Sequence, residues 1–307
     1  MFRYIIRRLL QMVLAFFGTT LLVYWLMFAA SGDPIAALAG EKPLSPSVRQ
    51  ALIQEFHLDQ PFIVQYLYYM RDLLTFDLGV NTSGRDIGQI VATAWPYTLK
   101  LAFIAFIFVV VVGITLGVIV AMKRGGVFDT VVLLLTLIVI SIPVFVIGST
   151  LALFGAKWGL WTTNVGGSGK LLAYLVPALV LGSLSLATAV RLTRSSVGEN
   201  LRADYVRTAK SKGLKRSRVV GVHVLRNSLI PVITFLGIEL GGLMGGAIVT
   251  EKIFNIPGIG FELAKAIGLE DGPTVVTIVS LLVIVYLLMN LLVDVLYAVL
   301  DPRIRYE

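Results

Sequence analysis

Six apolar segments, each about long enough to cross a bilayer, constrain this chain more than any other feature. A helix needs about 20 consecutive apolar residues to span the hydrocarbon core. The chain is 57% hydrophobic and 14% charged, with a mean hydropathy of +0.88, which excludes an ordinary soluble globular fold. We therefore predict an all-α membrane protein, and its six transmembrane helices are residues 9–30, 97–122, 127–154, 171–190, 229–250 and 275–300.

The Lys and Arg residues indicate how these spans are oriented. Most of the 26 basic residues fall in the segments that share one side of the membrane, which are residues 1–8, 123–126, 191–228 and 301–307. Cytoplasmic loops carry an excess of Lys and Arg. We therefore expect both termini in the cytoplasm. The net charge of +8 then reflects topology, and the absence of interleaved aromatic residues argues against nucleic-acid binding.

This topology divides the chain into four parts: a cytoplasmic segment with the first span (1–30), an external region (31–96), a five-helix core (97–300) and a cytoplasmic tail (301–307). The external region contains a predicted amphipathic helix, Phe62–Leu74, which we expect to lie on the outer membrane surface. The core includes a cytoplasmic loop, 191–228, and an external loop, 251–274. The external loop is rich in Gly and Pro, so we expect it to be buried in protein or to line a cavity.

The sequence offers no catalytic or metal-binding constellation. It has no Cys and two His residues, and it lacks a His-Glu-x-x-His motif or a convincing Ser/His/Asp set. Residues 166–170 superficially resemble a phosphate-binding loop. Asn164 and Leu171, however, occupy the positions that require Gly and Ser or Thr. We therefore expect no ATPase activity, cofactor or metal in this chain.

The cytoplasmic loop carries the most informative motif, residues 204–213. Tyr205, Ala209 and Gly213 are spaced so that a helix places them along one face. Small residues on such a face allow another surface to approach closely, and Gly213 is a natural helix end. We predict a docking helix here, followed by a second helix over 217–228. The alternative is a solvated basic loop held near anionic lipid.

Several residues within the spans are candidates for lining or gating a path. Pro143 and Pro177 are expected to break helices. Hydroxyl groups fall in span four, and one carboxylate falls in span five. The candidate path residues are Pro143, Ser183, Ser185, Thr188 and Glu239. An acid within a span is costly and suggests function, but Glu239 has an equally good explanation in packing beside neighbouring glycines. For Asp294 a structural partner is expected.

Residues 203–234 resemble the EAA loop of bacterial ABC importer permeases, and more narrowly that of the first permease of the dipeptide/oligopeptide branch. Arg207 and Thr208 replace Glu and Ala of the general pattern, and such departures are typical of the peptide branch. The resemblance extends over nearly the whole chain. It includes Gly32-Asp33-Pro34, Asp59-Gln60-Pro61-Phe62, Asp77-Leu78-Gly79, Pro257-Gly258 with Gly260, and Asp301 to Arg305.

This resemblance implies a type I ABC importer permease fold in a bacterial inner membrane. It also implies a second, related permease subunit, one or two ATP-binding subunits that hold ATP and magnesium, and an extracellular binding protein that delivers peptide. The coupling helix would dock the ATPase through six residues: Asp204, Tyr205, Arg207, Ala209, Lys210 and Gly213. Dipeptides, longer peptides, glutathione and nickel complexes are all possible substrates.

Two other functions are alternatives to this one. An ion-gradient-driven secondary transporter or channel would act without an ATPase, and paired intramembrane charges or internal repeats would favour it. A membrane-embedded hydrolase would need a nucleophile with a base, or a metal motif. The sequence displays neither set of features.

Overall fold

A computed structural model describes residues 2–29, 46, 50, 53–54, 57–161 and 171–300, without the side chains of residues 2–5, 246 and 294–300. The described residues are helical and contain no β-strand, only an isolated bridge between Val80 and Asp86. The main helices are α1 Phe2–Phe28, α2 Phe62–Leu74, α3 Ile87–Met122, α4 Val127–Ser141, α5 Val144–Trp158, α6 Leu175–Asn200, α7 Asp204–Ser211, α8 Leu225–Ile253, α9 Ile259–Gly268 and α10 Gly272–Leu300. The motifs at 32–34, 166–170 and 301–305, and the side chain of Asp294, lie outside the described part.

The six predicted spans correspond to five long helices and one bent pair. Within the described residues, α1, α3, α6, α8 and α10 each contain a stretch long and apolar enough to cross a membrane. The third predicted span is not one straight helix, because α4 and α5 meet at an angle of 98°. The break falls at Pro143, whose ring prevents the helix from continuing.

Several predicted helix ends and breaks differ from the structure; for example, α3 begins at Ile87 and not at residue 97. Helix α6 continues to Asn200, ten residues beyond the predicted end of span four, so the predicted loop is shorter. Pro177 does not break α6, because it lies in the first turn, where a missing N–H costs nothing. The predicted separate helix over 217–228 is also wrong. A helical turn, Arg216–Arg218, and a π-helix, Val219–Val224, lead directly into α8.

The chain forms two compact units. Unit 1 comprises Met1–Leu99 and Ile256–Glu307, and unit 2 comprises Lys100–Asn255. In unit 1, α2 packs through large side chains against α1 and α10. This aromatic cluster consists of Tyr24, Phe28, Tyr66, Met70, Leu73 and Val276. The predicted helix over Phe62–Leu74 is therefore confirmed, and its buried face is aromatic.

Unit 1 also contains α9, within the external loop predicted to be buried. Ile259 is fully buried, and its amide donates to Thr98 Oγ1 at 2.8 Å. Gly258, the N-cap residue of α9, has no side chain that could accept a hydrogen bond. Thr98 of α3 therefore satisfies the N–H group at the start of α9. At the start of α10, buried Asp271 accepts a hydrogen bond of 2.7 Å from Thr274 Oγ1. The loop is thus fixed in protein, as the sequence predicted.

In unit 2, α6 packs against α4, α5 and α8, and small residues allow α3 to approach it closely. A Cβ atom added at Gly113 would lie 2.8 Å from Ala189 Cβ, and one at Gly117 would lie 2.5 Å from Thr193 Cβ. Both pairs are spaced by four residues along their helices. This is the small-residue packing typical of membrane helices, where close backbone approach replaces the hydrophobic driving force.

Candidate functional site

The helix predicted within residues 204–213 is present as α7, Asp204–Ser211. Asp204 occupies its first turn and Lys210 its last, so both charges are favourably placed relative to the helix dipole. Gly213 follows with φ +74°, and its amide donates to the Lys210 carbonyl at 3.0 Å. Glycine ends the helix here because it adopts the left-handed conformation without a steric penalty.

Helix α7 is held against the rest of unit 2 by two small side chains, Val206 and Ala209. They are 0% and 5% exposed. Their buried neighbours, contributed by α3, α6 and the π-helix, are Ala121, Val197, Val219 and Val224. This arrangement differs from the sequence prediction, because Ala209 packs inward and does not share an exposed face with Tyr205 and Gly213.

The outward face of α7 is polar and predominantly cationic. Tyr205 is 40% exposed, and its hydroxyl donates a hydrogen bond to Asn200. Arg207 lies 3.6 Å from Asp204, with both side chains largely exposed, so this ion pair contributes little to stability. Lys210 is exposed and makes no ion pair within the described residues. Both cations are therefore exposed, and a partner could reach them.

An ion pair that the sequence analysis missed fixes α6 beside α4. Arg194 Nε and Nη2 lie 2.5 and 2.7 Å from the two carboxylate oxygens of Asp129. The Gly125 amide donates to the same carboxylate at 2.9 Å. Asp129 is buried, and this bidentate geometry with a third donor compensates for its desolvation. An acid two residues into an apolar span was the signal that could have revealed it.

A second polar contact joins α6 to α8 near α7. The Ser196 hydroxyl donates to the Ser228 carbonyl at 2.9 Å, and both side chains are buried. The Ser228 hydroxyl lies within hydrogen-bond distance of the Val224 carbonyl, at 2.8 Å. Together with the buried side chains of α7, these contacts connect α7 to three long helices of unit 2.

The hydroxyls predicted to line a path do not converge. Ser183 and Thr188 donate to carbonyls of their own helix, at 2.8 and 3.1 Å. Ser185 is buried and, two residues from Ser183, lies on nearly the opposite side of α6. Thr188 lines a groove of about 520 Å³ together with Arg191, Arg194 and Ser195. Thr188 therefore borders a groove.

The remaining candidates occupy distinct environments. Pro143 lies exposed at the bend between α4 and α5. Glu239 is half-buried on α8 and forms no ion pair within the described part of the chain. A Cβ atom added at Gly242 would lie 3.8 Å from the Glu239 carboxylate. The Glu239 side chain therefore lies over the glycine-rich surface of its own helix.

Comparison with known proteins identifies the family. Residues 113–306 match the binding-protein-dependent transport system inner membrane component family, and residues 1–96 match the N-terminal region of such membrane components. The chain belongs to this family. It is a multi-pass inner membrane protein, and the predicted family membership is confirmed.

The relatives transport peptides. The dipeptide transport system permease protein DppB of Escherichia coli K12 and the di/tripeptide transport system permease protein DppB of Pseudomonas aeruginosa are each 38% identical to this chain. The glutathione transport system permease protein GsiC of Pectobacterium atrosepticum is 36% identical. In all three cases the similarity covers 100% of both chains.

Proposed function

We propose that this chain is the permease subunit of an ATP-driven peptide importer and that α7 docks an ATP-binding subunit. The observation that carries this proposal is the two-sided character of α7. Val206 and Ala209 are buried, whereas Arg207 and Lys210 are exposed beside Tyr205. The permease relatives support di- or oligopeptides as the substrate class. ATP and magnesium would belong to the partner subunit.

The packing of α7 suggests how docking becomes movement. Val206 and Ala209 contact a cluster contributed by α3, α6 and the start of α8. A displacement of α7 by a closing ATPase is therefore transmitted to three spans at once, as a rigid-body movement. In the proposed complex, a second permease subunit completes the path, and an extracellular binding protein delivers peptide at the opposite side.

The Coulombic contribution of α7 to docking is tested by charge reversal. The variant Arg207→Glu/Lys210→Glu replaces two exposed cations without touching the buried anchor. When this variant is purified by its tag, we expect the amount of co-purified ATP-binding subunit to be at least about tenfold lower than with the wild type. The reason is that like charges across an interface cost several kcal/mol. The matched control, Arg85→Glu/Lys157→Glu, makes the same charge change on the predicted external side.

Mass spectrometry of the co-purified proteins distinguishes the functional alternatives. A second permease and an ATP-binding subunit are expected with the wild type and the control. Equal recovery of the ATPase with both double variants would contradict docking through α7. If the wild-type chain were purified alone or as a homo-oligomer in mild detergent, the ion-gradient-driven transporter would replace the importer.

A further inference from the structure

A groove in unit 2, separate from the exposed face of α7, lies beside the end of α3. It is lined by Ile119, Met122, Lys123, Arg216, Ser217, Val220 and Gly221, and its volume is about 690 Å³. Small-molecule sites in proteins typically measure about 300–1,000 Å³. The groove is thus large enough for a ligand, and the proposed ATPase docking does not use it.

The floor of the groove is apolar at membrane depth. Ile119 and Met122 lie one turn apart in the last part of α3, and they are 39% and 40% exposed. Val220 adds a further apolar side chain, and nothing lies within 4 Å of a Cβ atom added at Gly221. Because α3 crosses the membrane and ends at Met122, this floor lies near the boundary of the hydrocarbon core.

Two cations, Lys123 and Arg216, border this floor. Neither forms an ion pair with a carboxylate in the part of the chain that the structure describes. The Lys123 ammonium lies 5.2 Å from the ring centroid of Phe128, which restricts its position without neutralising its charge. Arginine presents a planar set of donors that matches phosphate oxygens. The groove therefore combines an anion-binding rim with an apolar floor.

We propose that this groove binds an anionic phospholipid. The phosphate would interact with Lys123 and Arg216, and the first part of an acyl chain would cover Ile119 and Met122. A soluble anion would satisfy the cations but leave the apolar floor exposed to water, which disfavours it. The neighbouring π-helix, Val219–Val224, places Gly221 on the groove, where the missing side chain leaves room for the chain of the lipid.

Lipid retention by the purified complex tests this proposal. The complex is reconstituted with equal amounts of phosphatidylglycerol and phosphatidylcholine, extracted again, and its bound lipids are counted by native mass spectrometry. The wild type is expected to retain phosphatidylglycerol preferentially. Lys123→Ala/Arg216→Ala is expected to bind it about tenfold more weakly, since each basic residue near the headgroups contributes measurably. The matched control, Arg202→Ala/Arg218→Ala, removes two exposed cations that do not line the groove.

A second variant tests the apolar half of the site. Gly221→Leu keeps both cations but fills the groove, so phosphatidylglycerol retention is expected to fall while ATPase recovery is unchanged. Equal loss with the control variant would overturn the proposal. So would equal retention of both lipids by the wild type, or equally strong binding of the water-soluble headgroup glycerophosphoglycerol. If Lys123→Ala/Arg216→Ala kept its lipid but lost the ATPase, the groove would be a protein-docking surface instead.

Discussion

Helices α2 and α7 are both short and amphipathic, yet they differ in the number and size of the side chains that anchor them. The 13 residues of α2 bury Gln65, Tyr66, Met70 and Leu73, whereas the eight residues of α7 bury Val206 and Ala209. Burying a large apolar side chain stabilises by about 1.5–3 kcal/mol. The larger number of large buried side chains therefore holds α2 firmly in unit 1. The two small buried side chains of α7 make that helix easier to move.

Their outward faces differ as well. Helix α2 exposes Ile63, Leu67 and Leu74, each to about 60%, a surface suited to the membrane interface where the sequence analysis predicted it. Helix α7 exposes Arg207 and Lys210, a surface suited to water or to a protein partner. The comparison teaches that an amphipathic period identifies a short helix, but the chemistry of its two faces indicates what it contacts.

The polar groups of α2 add hydrogen bonds that fix its position against α1 and α10. Tyr66 OH and Thr20 Oγ1 are 2.8 Å apart, and Tyr69 OH donates to Ser280 Oγ at 2.7 Å. Burial raises the pKa of the Tyr69 phenol well above its ordinary value, so this hydroxyl stays protonated and remains a donor at physiological pH. In α7 the corresponding contact is the hydrogen bond that the exposed Tyr205 hydroxyl donates to Asn200 at the end of α6.

The largest effect is expected from a charge placed under α7. Val206→Asp buries a carboxylate among apolar side chains, which costs more than the anchor of α7 contributes. The helix should detach, peptide uptake should fall to background, and amide exchange over residues 204–213 should become fast. Thr208→Asp, on the exposed face, should keep slow exchange. Slow exchange in Val206→Asp would show that other contacts hold α7.

Loss of the ion pair behind this anchor ranks second. Arg194→Met leaves the Asp129 carboxylate buried without its partner and should destabilise the chain by about 3–5 kcal/mol. Thermal unfolding in detergent measures the effect. Asp129→Leu/Arg194→Met removes both charges and should recover a large part of the loss. Equal destabilisation by the single and double variants would contradict a buried, coupled pair.

Truncation of the α2 anchor should affect stability without affecting docking. Met70 is 4% exposed, so Met70→Ala is expected to cost about 2–5 kcal/mol through lost burial and a cavity. Leu67→Ala, on the exposed face of the same helix, should cost less than about 0.5 kcal/mol. Co-purification of the ATPase should be unchanged in both. A docking defect in Met70→Ala would remove the functional distinction between α2 and α7.

The smallest effect concerns one hydroxyl group. Tyr66→Phe removes the contacts of the phenol with Thr20 Oγ1 and the Phe17 carbonyl and should lower the free energy of unfolding by about 1 kcal/mol. Tyr68→Phe is the matched control, because the Tyr68 hydroxyl makes no hydrogen bond within the described residues. Identical melting temperatures for the two variants would mean that aromatic packing alone fixes α2.

The sequence predicted the features that depend on local pattern. Apolar length located the membrane helices, because every backbone polar group in lipid must be satisfied within its own helix. The amphipathic period located α2 with its observed bounds, and Gly213 marked the end of α7. The bend at Pro143 was also predictable as a break, because proline cannot continue a helix. Its angle was not, since a missing hydrogen bond does not fix a direction.

The tertiary structure decided which side of each helix is buried and which distant groups meet. Ala209 and Tyr205 are equivalent in a helical pattern, and only the cluster beneath α7 shows that Ala209 points inward. Asp129 and Arg194, or Thr98 and the Ile259 amide, are far apart in the chain. Sequence alone determined that this protein consists of membrane helices with a helical motif between two of them, because solvation and backbone hydrogen bonding act locally. The pairings arise from packing, which no local pattern encodes.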